Sequence, residues 1–216
     1  MTLPAPARLT MKTSPFLRCP RLAAALLLSL FAVATLSAAE GARRIEPDWF
    51  TRLGPAWVFN EGRGDNPGGG SFQPIRLPGS GKPAGRLSYD FTAIKGGAYV
   101  GALLTQKEGL RVDGPFAEIR LTASRSTPGV LLLRLIDSNR KTFQYKLQHT
   151  GAGIATDYKV DVRRPNQMWG GPAGAAKDDR TIAWPLLGVF LGVETPKGIT
   201  DAGEAVFWDV ELLTAD

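Results

Sequence analysis

The chain carries one histidine, His149, and one cysteine, Cys19, so side chains suited to nucleophilic or metal chemistry are scarce. A zinc site built on several imidazoles is excluded, and a Ser-His-acid triad has only His149 to use. No Gly-x-Ser-x-Gly elbow occurs, and His149 closes a strand-like segment just before Thr150-Gly151. No glycine-rich loop leads into the lysine and helix of a phosphate site. Carboxylates remain. Glycoside hydrolysis needs two acids across a cleft, and Glu118, Asp161 and Asp209 are candidates that spacing alone does not pair. Non-enzymatic chemistry is therefore the leading expectation.

Binding chemistry is better represented. Between Val130 and Ile136 only Arg134 is polar, and alternation sets it opposite Leu131, Leu133 and Leu135. In the next segment Thr142, Gln144, Lys146 and Gln148 share one face, and Phe143, Tyr145 and Leu147 share the other. If the two segments pair, Arg134 becomes a neighbour of Gln144 or Lys146 on one sheet surface. Glu118, Arg120 and Thr122 form a similar face, as do Lys159, Asp161 and Arg163, and all are expected to extend that surface. Arg, Gln, Asp and Glu supply the donors and acceptors that hydroxyl-rich ligands require, and an aromatic ring covers the apolar face of a pyranose. Trp169, inside Asn166-Gln167-Met168-Trp169-Gly170-Gly171, is the most exposed-looking aromatic, and Tyr99 is the second candidate. The expected ligand-binding set is Tyr99, Arg134, Gln144, Lys146, Asp161 and Trp169. The competing explanation is the solvated face that any antiparallel sheet turns to water. Trp184 and Trp208 lie within apolar segments and read as core.

Two further acids suggest a cation. Glu61 follows the first strand-like segment and Asp209 lies in the last, and terminal strands of a sandwich often run side by side. A hard cation such as calcium takes carboxylate oxygens of this kind together with backbone carbonyls. Two unrelated surface acids, or Glu61 paired with a local arginine such as Arg63, are the alternative.

These residues need a scaffold of strands. Period-two patterning recurs from Trp57 to Leu213, without a sustained helical repeat. Strands are expected over Trp57–Phe59, Leu87–Phe91, Ala98–Leu104, Ala117–Ala123, Val130–Ile136, Thr142–Gln148, Tyr158–Val162, within Ile182–Val193, and over Ala205–Leu213. Asp137-Ser138-Asn139-Arg140 has the chemistry of a hairpin turn. The segment 60–86, rich in Gly and Pro, reads as an extended connection anchored by Phe72, Ile75 and Leu77. In the last strand Val206, Trp208, Val210 and Leu212 are assigned to one face, with Phe207, Asp209 and Glu211 opposite. The fold class expected is all-β, an antiparallel β-sandwich, with a closed barrel as the alternative.

Residues 1–39 follow another grammar. Arg8, Lys12, Arg18 and Arg21 precede an apolar run from Leu22 to Leu36 that ends at Ser37-Ala38-Ala39, the pattern of a cleaved signal peptide. Met11 is an alternative start. Cys19 lies before the apolar run, so no lipoprotein anchor is read. Cleavage would leave residues 40–216 as a single domain, exported to the periplasm or secreted. All twenty acidic residues then remain but only twenty-two of the twenty-six basic ones, and the net charge falls from +6 to about +2. Nucleic-acid binding loses its electrostatic support. The remaining chain has no cysteine and no apolar stretch long enough for a transmembrane helix.

The strand series resembles the galactose-binding-like jelly rolls, as in carbohydrate-binding modules and accessory domains of glycoside hydrolases. The resemblance rests on Gly97-Ala98-Tyr99-Val100-Gly101, on Gly129-Val130-Leu131-Leu132-Leu133-Arg134-Leu135-Ile136-Asp137 leading into Arg140-Lys141-Thr142-Phe143-Gln144-Tyr145, and on Ile182-Ala183-Trp184-Pro185-Leu186. The closing Val206-Phe207-Trp208-Asp209-Val210-Glu211-Leu212 completes it. It implies a jelly-roll sandwich, a structural calcium near Glu61 and Asp209, and ligand contacts from strands bearing Tyr99, Arg134 and Gln144. The long stretches 60–86 and 166–180 depart from it. The reading that leads is non-catalytic binding of a polysaccharide or glycan. An envelope structural or protein-interaction domain is the alternative, followed by a carboxylate-based polysaccharide hydrolase or lyase.

Overall fold

The computed structural model describes residues 44–45, 49–50, 57–62, 69–93, 98–105, 109–174, 179–196 and 199–214. Contacts divide the chain into Met1–Gly41 and Ala42–Asp216. The expected signal segment, residues 1–39, lies outside the described residues.

The described residues form twelve strands: β1 (Arg44–Ile45), β2 (Trp57–Gly62), β3 (Gly69–Arg76), β4 (Pro83–Asp90), β5 (Ala98–Thr105), β6 (Glu118–Arg125), β7 (Gly129–Ile136), β8 (Lys141–His149), β9 (Thr156–Asp161), β10 (Gln167–Gly170), β11 (Gly188–Thr195) and β12 (Ala202–Leu213). Each pairs antiparallel with its neighbours. One sheet runs β3-β4-β12-β6-β9, with β1 also on β12; the other runs β10-β8-β7-β11-β5-β2. The last strand lies between β4 and β6, and β11 lies between β7 and β5, so each sheet interleaves distant segments in the jelly-roll manner. No ladder joins the two sheets among the described residues, which makes this a sandwich and not a closed barrel.

Alternation explains the core. Leu131, Leu133 and Leu135 of β7, Phe143, Tyr145 and Leu147 of β8, and Val189, Leu191 and Val193 of β11 face Leu87, Ile119, Leu121, Ala205 and Phe207 of the other sheet, all in one buried cluster. Trp184 packs against it, edge-on to Phe116 with ring centroids 5.3 Å apart. The Tyr145 hydroxyl donates to the Val162 carbonyl at 2.6 Å, and burial raises its pKa well above the ordinary tyrosine value.

The hairpin of β7 and β8 turns on Asp137, which is 1% exposed. Its Oδ1 accepts from the backbone N–H groups of Asn139 and Lys141, and its Oδ2 accepts from that of Ala183. Arg140 completes the turn at φ 61°, the left-handed region that a short polar loop tolerates.

Two expectations about the strands are corrected. The segment 60–86 contains a full edge strand, β3, hydrogen-bonded to β4 along its whole length. Pro74 lies in it without penalty because its missing N–H faces the open edge. In β12 the two assigned faces do not persist. Ala205 and Phe207 point into the core, and after a bulge between Trp208 and Glu211 the inward residues are Val210 and Leu212. Asp209 sits at the bulge with φ 48°. The inserted residue shifts the phase by one, so Trp208 turns outward, half-buried, on the face opposite the core.

Candidate functional site

The sheet that contains β7 and β8 turns its second face away from the core, and pairing lines up side chains across it. Arg134 stands opposite Gln144 of β8 and Phe190 of β11, and Gln144 stands opposite Gln167 of β10. Phe190, Arg134, Gln144 and Gln167 thus form one transverse row over four strands. The Arg134 Nε–H donates to Gln144 Oε1 at 2.7 Å, and Gln144 Nε2 donates to Gln167 Oε1 at 2.8 Å. The row to one side carries Trp169 opposite Thr142. On the other side Lys146 Nζ reaches Glu194 at 2.8 Å.

The floor of this face is aromatic. Gly101 and Gly192 are register partners on β5 and β11, and a Cβ at either would lie 2.3 or 2.5 Å from the Phe190 ring. The missing side chains let that ring lie across both strands. Tyr99 meets it edge-on at 5.9 Å. The Arg134 guanidinium lies over Tyr99 at 3.9 Å, Phe190 at 4.6 Å and Trp169 at 5.3 Å. Such contacts are worth about 0.5–2 kcal/mol each as they lose solvent, and here the arginine is only 9% exposed. Leu132, Phe190 and Gln144 are buried beside it, whereas Trp169 is 45% exposed. The arrangement fixes an arginine and two amides in one orientation next to an accessible indole.

Five of the six expected binding residues, Tyr99, Arg134, Gln144, Lys146 and Trp169, share this face. Asp161 does not. It ends β9 in the other sheet, opposite Glu118, and its carboxylate accepts from the Arg163 Nε–H at 2.9 Å and the Arg163 backbone N–H at 3.0 Å. The Arg163 side chain first, and then its backbone N–H, hold the Asp161 pKa below the ordinary value. Glu118, Arg120, Thr122 and Lys159 share that other sheet. The expectation of one continuous polar surface is therefore replaced by two surfaces on opposite sides of the sandwich. On the second, the bulge at Asp209 opens a groove of about 330 Å³ lined by Arg120, Thr122, Asp157, Lys159, Asp209 and Glu211.

The two acids of the expected cation site lie in different sheets. Glu61 lies in β2, whose partner is β5, whereas Asp209 lies in β12, bonded to β4, β6 and β1. β2 and β12 belong to different sheets, and the strand that runs beside β12 at the N-terminal end is β1. Asp209 Oδ2 accepts from Lys82 Nζ at 2.6 Å. No group of three or more His, Cys, Asp or Glu converges among the described residues.

His149 is 2% exposed and fully engaged. Its Nε2 accepts from the Arg125 backbone N–H at 3.2 Å, so the ring proton of the neutral form is on Nδ1, which donates to the Tyr158 hydroxyl at 2.7 Å. Nearby, Arg125 reaches Tyr89 Oη at 3.0 Å and the Val130 carbonyl at 3.1 Å, and it pairs with Asp201 Oδ2. These contacts bind sheet ends together and leave no imidazole atom for an external substrate.

Phe190 and Gln167 complete the face and were not singled out in the sequence. Phe190 was hidden inside an apolar run, buried on both sides. Gln167 was legible once Trp169 is placed on a strand, because residues two apart share a face.

No protein-family model matches the chain, and no curated protein sequence matches it. Solved structures do. The family 11 carbohydrate-binding module of the cellulosomal cellulase Lic26A-Cel5E of Clostridium thermocellum superposes with a TM-score of 0.55 at 10% identity, covering 81% of this chain and 95% of that one. A family 11 module from the same organism, in complex with a β-1,3-1,4-mixed-linked tetrasaccharide, also gives 0.55, at 12% identity, covering 82% and 98%. The fold is that of the jelly-roll carbohydrate-binding modules. At such identities the likeness concerns the backbone alone.

Proposed function

We propose that this chain is a non-catalytic carbohydrate-binding domain that acts after export, in the periplasm or outside the cell, and that the Arg134 face holds a glycan. The observation that carries the reading is the ordered row of arginine and amides beside the exposed Trp169 ring. An ordinary solvated sheet face consists of independent, mobile polar side chains. Here Arg134 and Gln144 are buried, Gln167 continues their bonded row to the exposed side, and the guanidinium packs on aromatic rings, which is the pre-organisation that a hydroxyl-rich ligand with an apolar ring face demands. The jelly-roll fold supports the same reading.

Two acids fall on this face by register. Glu194 of β11 is paired with Lys146, and Glu61 of β2 stands opposite Tyr99 of β5. The test is retention of residues 40–216 on immobilised mixed-linked β-glucan, cellulose, xylan, galactan, agarose and pectin, with calcium and with chelator. Retention on at least one, without release of reducing ends, is the expected result. A folded protein that migrates freely on all of them would overturn the reading.

A further inference from the structure

The bonds in the row fix which end of each amide faces outward. An arginine Nε–H donates and cannot accept, so the Gln144 atom 2.7 Å from it is the oxygen. The other end of that amide is then NH₂. At 2.8 Å it meets Gln167, where it requires an oxygen. Gln167 is left with its own NH₂ group directed away from the row, and that nitrogen has no hydrogen-bond partner among the described residues. The polarity of the exposed end is thus dictated by the buried guanidinium at the other.

β10 holds this group in place. Its four residues pair in register with β8, and the Asn166 backbone N–H donates to the Gln144 carbonyl at 2.8 Å while Asn166 Oδ1 accepts from the Lys146 N–H at 2.6 Å. Gln167 and Trp169, two apart on the strand, therefore present a donor and a ring side by side. Lys146 is paired with Glu194 on the far side of the row from Trp169.

We propose that Gln167 sets ligand specificity on this face: its amide NH₂ donates to an acceptor oxygen of a neutral glycan stacked on Trp169, and disfavours a cationic amino sugar there. The proposal rests on the carbohydrate reading above. A hydroxyl, ring or glycosidic oxygen accepts from the NH₂. An ammonium group has three donors and no acceptor, so it meets donors with donors.

The experiment is isothermal titration of residues 40–216 with two probes, the mixed-linked glucan tetrasaccharide and a glucosamine tetramer. Gln167→Met removes the outward donor at similar length, and affinity for the neutral probe should fall about three- to tenfold, the worth of one hydrogen bond. Gln167→Glu keeps an oxygen for Gln144 and reverses the outward polarity, and the ratio of neutral to cationic affinity should fall at least tenfold. Gln148→Glu, which adds the same charge two rows away, should move that ratio less. Melting temperatures of all variants should stay near wild type. Wild-type affinity in Gln167→Met, or an unmoved ratio in Gln167→Glu, would overturn the assignment while leaving the carbohydrate reading intact. Absence of wild-type binding here and across the polysaccharide panel would remove that reading and this proposal with it.

Discussion

Replacing Arg134 by methionine separates an organised site from a coincidental cluster. The side chain is 9% exposed, and the Gln144 that it bonds is 4% exposed. Methionine keeps the length and apolar stem but abolishes the Nε–Gln144 bond, a charge-assisted contact worth about 1.5–3 kcal/mol. It also removes the cation above Tyr99 and Phe190, worth roughly 0.5–1 kcal/mol for each ring. Relief from holding a desolvated charge offsets part of this loss. The net expectation is a destabilisation of about 2–3 kcal/mol, a fall of roughly 4–12 °C in melting temperature for a domain of this size. The double variant Arg134→Met/Gln144→Leu supplies the decisive comparison. It leaves no orphaned buried amide, and replacing both partners by apolar groups is close to neutral. Thermal and urea denaturation followed by circular dichroism should therefore show the double variant more stable than the single. Additive losses, or a single variant that melts with the wild type, would refute the claim that these groups form one bonded unit.

Three other outcomes follow. Asp201→Asn leaves Arg125, 2% exposed, without its counter-charge and should cost about 3–5 kcal/mol, read from the urea midpoint. Trp169→Ala should reduce glycan retention at least tenfold with little change in melting temperature, because the ring is 45% exposed; a large loss of stability would mark it as structural. The Asp161 pKa is lower in the folded chain than the ordinary value of 3.8, chiefly through the Arg163 side-chain hydrogen bond. Its stabilisation is complete above the unfolded value and disappears as the pH falls through the folded one, so Asp161→Asn should cost at most about 1 kcal/mol at neutral pH and nothing in strong acid.

The candidate face was legible where its information is local. Strict alternation around Leu131, Leu133 and Leu135, together with the Asp137 turn, makes Arg134 a neighbour of Gln144 or Lys146, and the register selects Gln144. Other features depend on long-range pairing. Whether β9 joins the sheet of Arg134 or the opposite one is decided by partners far away in the chain, and Asp161 was assigned to the wrong surface for that reason. The bulge at Asp209 reverses the phase of β12 in a way that no residue type announces, which turned Trp208 outward. β3 was read as a connection because glycine and proline weaken a strand everywhere except at an open edge, where it lies.

The most direct measurement is a two-dimensional NMR titration of the ¹⁵N-labelled domain with the best-retained oligosaccharide. The account predicts that the Trp169 indole N–H, the side-chain amides of Gln144 and Gln167, and the backbone of β8 and β10 shift together and saturably. Shifts confined to the groove at Arg120, Thr122 and Asp209, or none with any glycan of the panel, would contradict it.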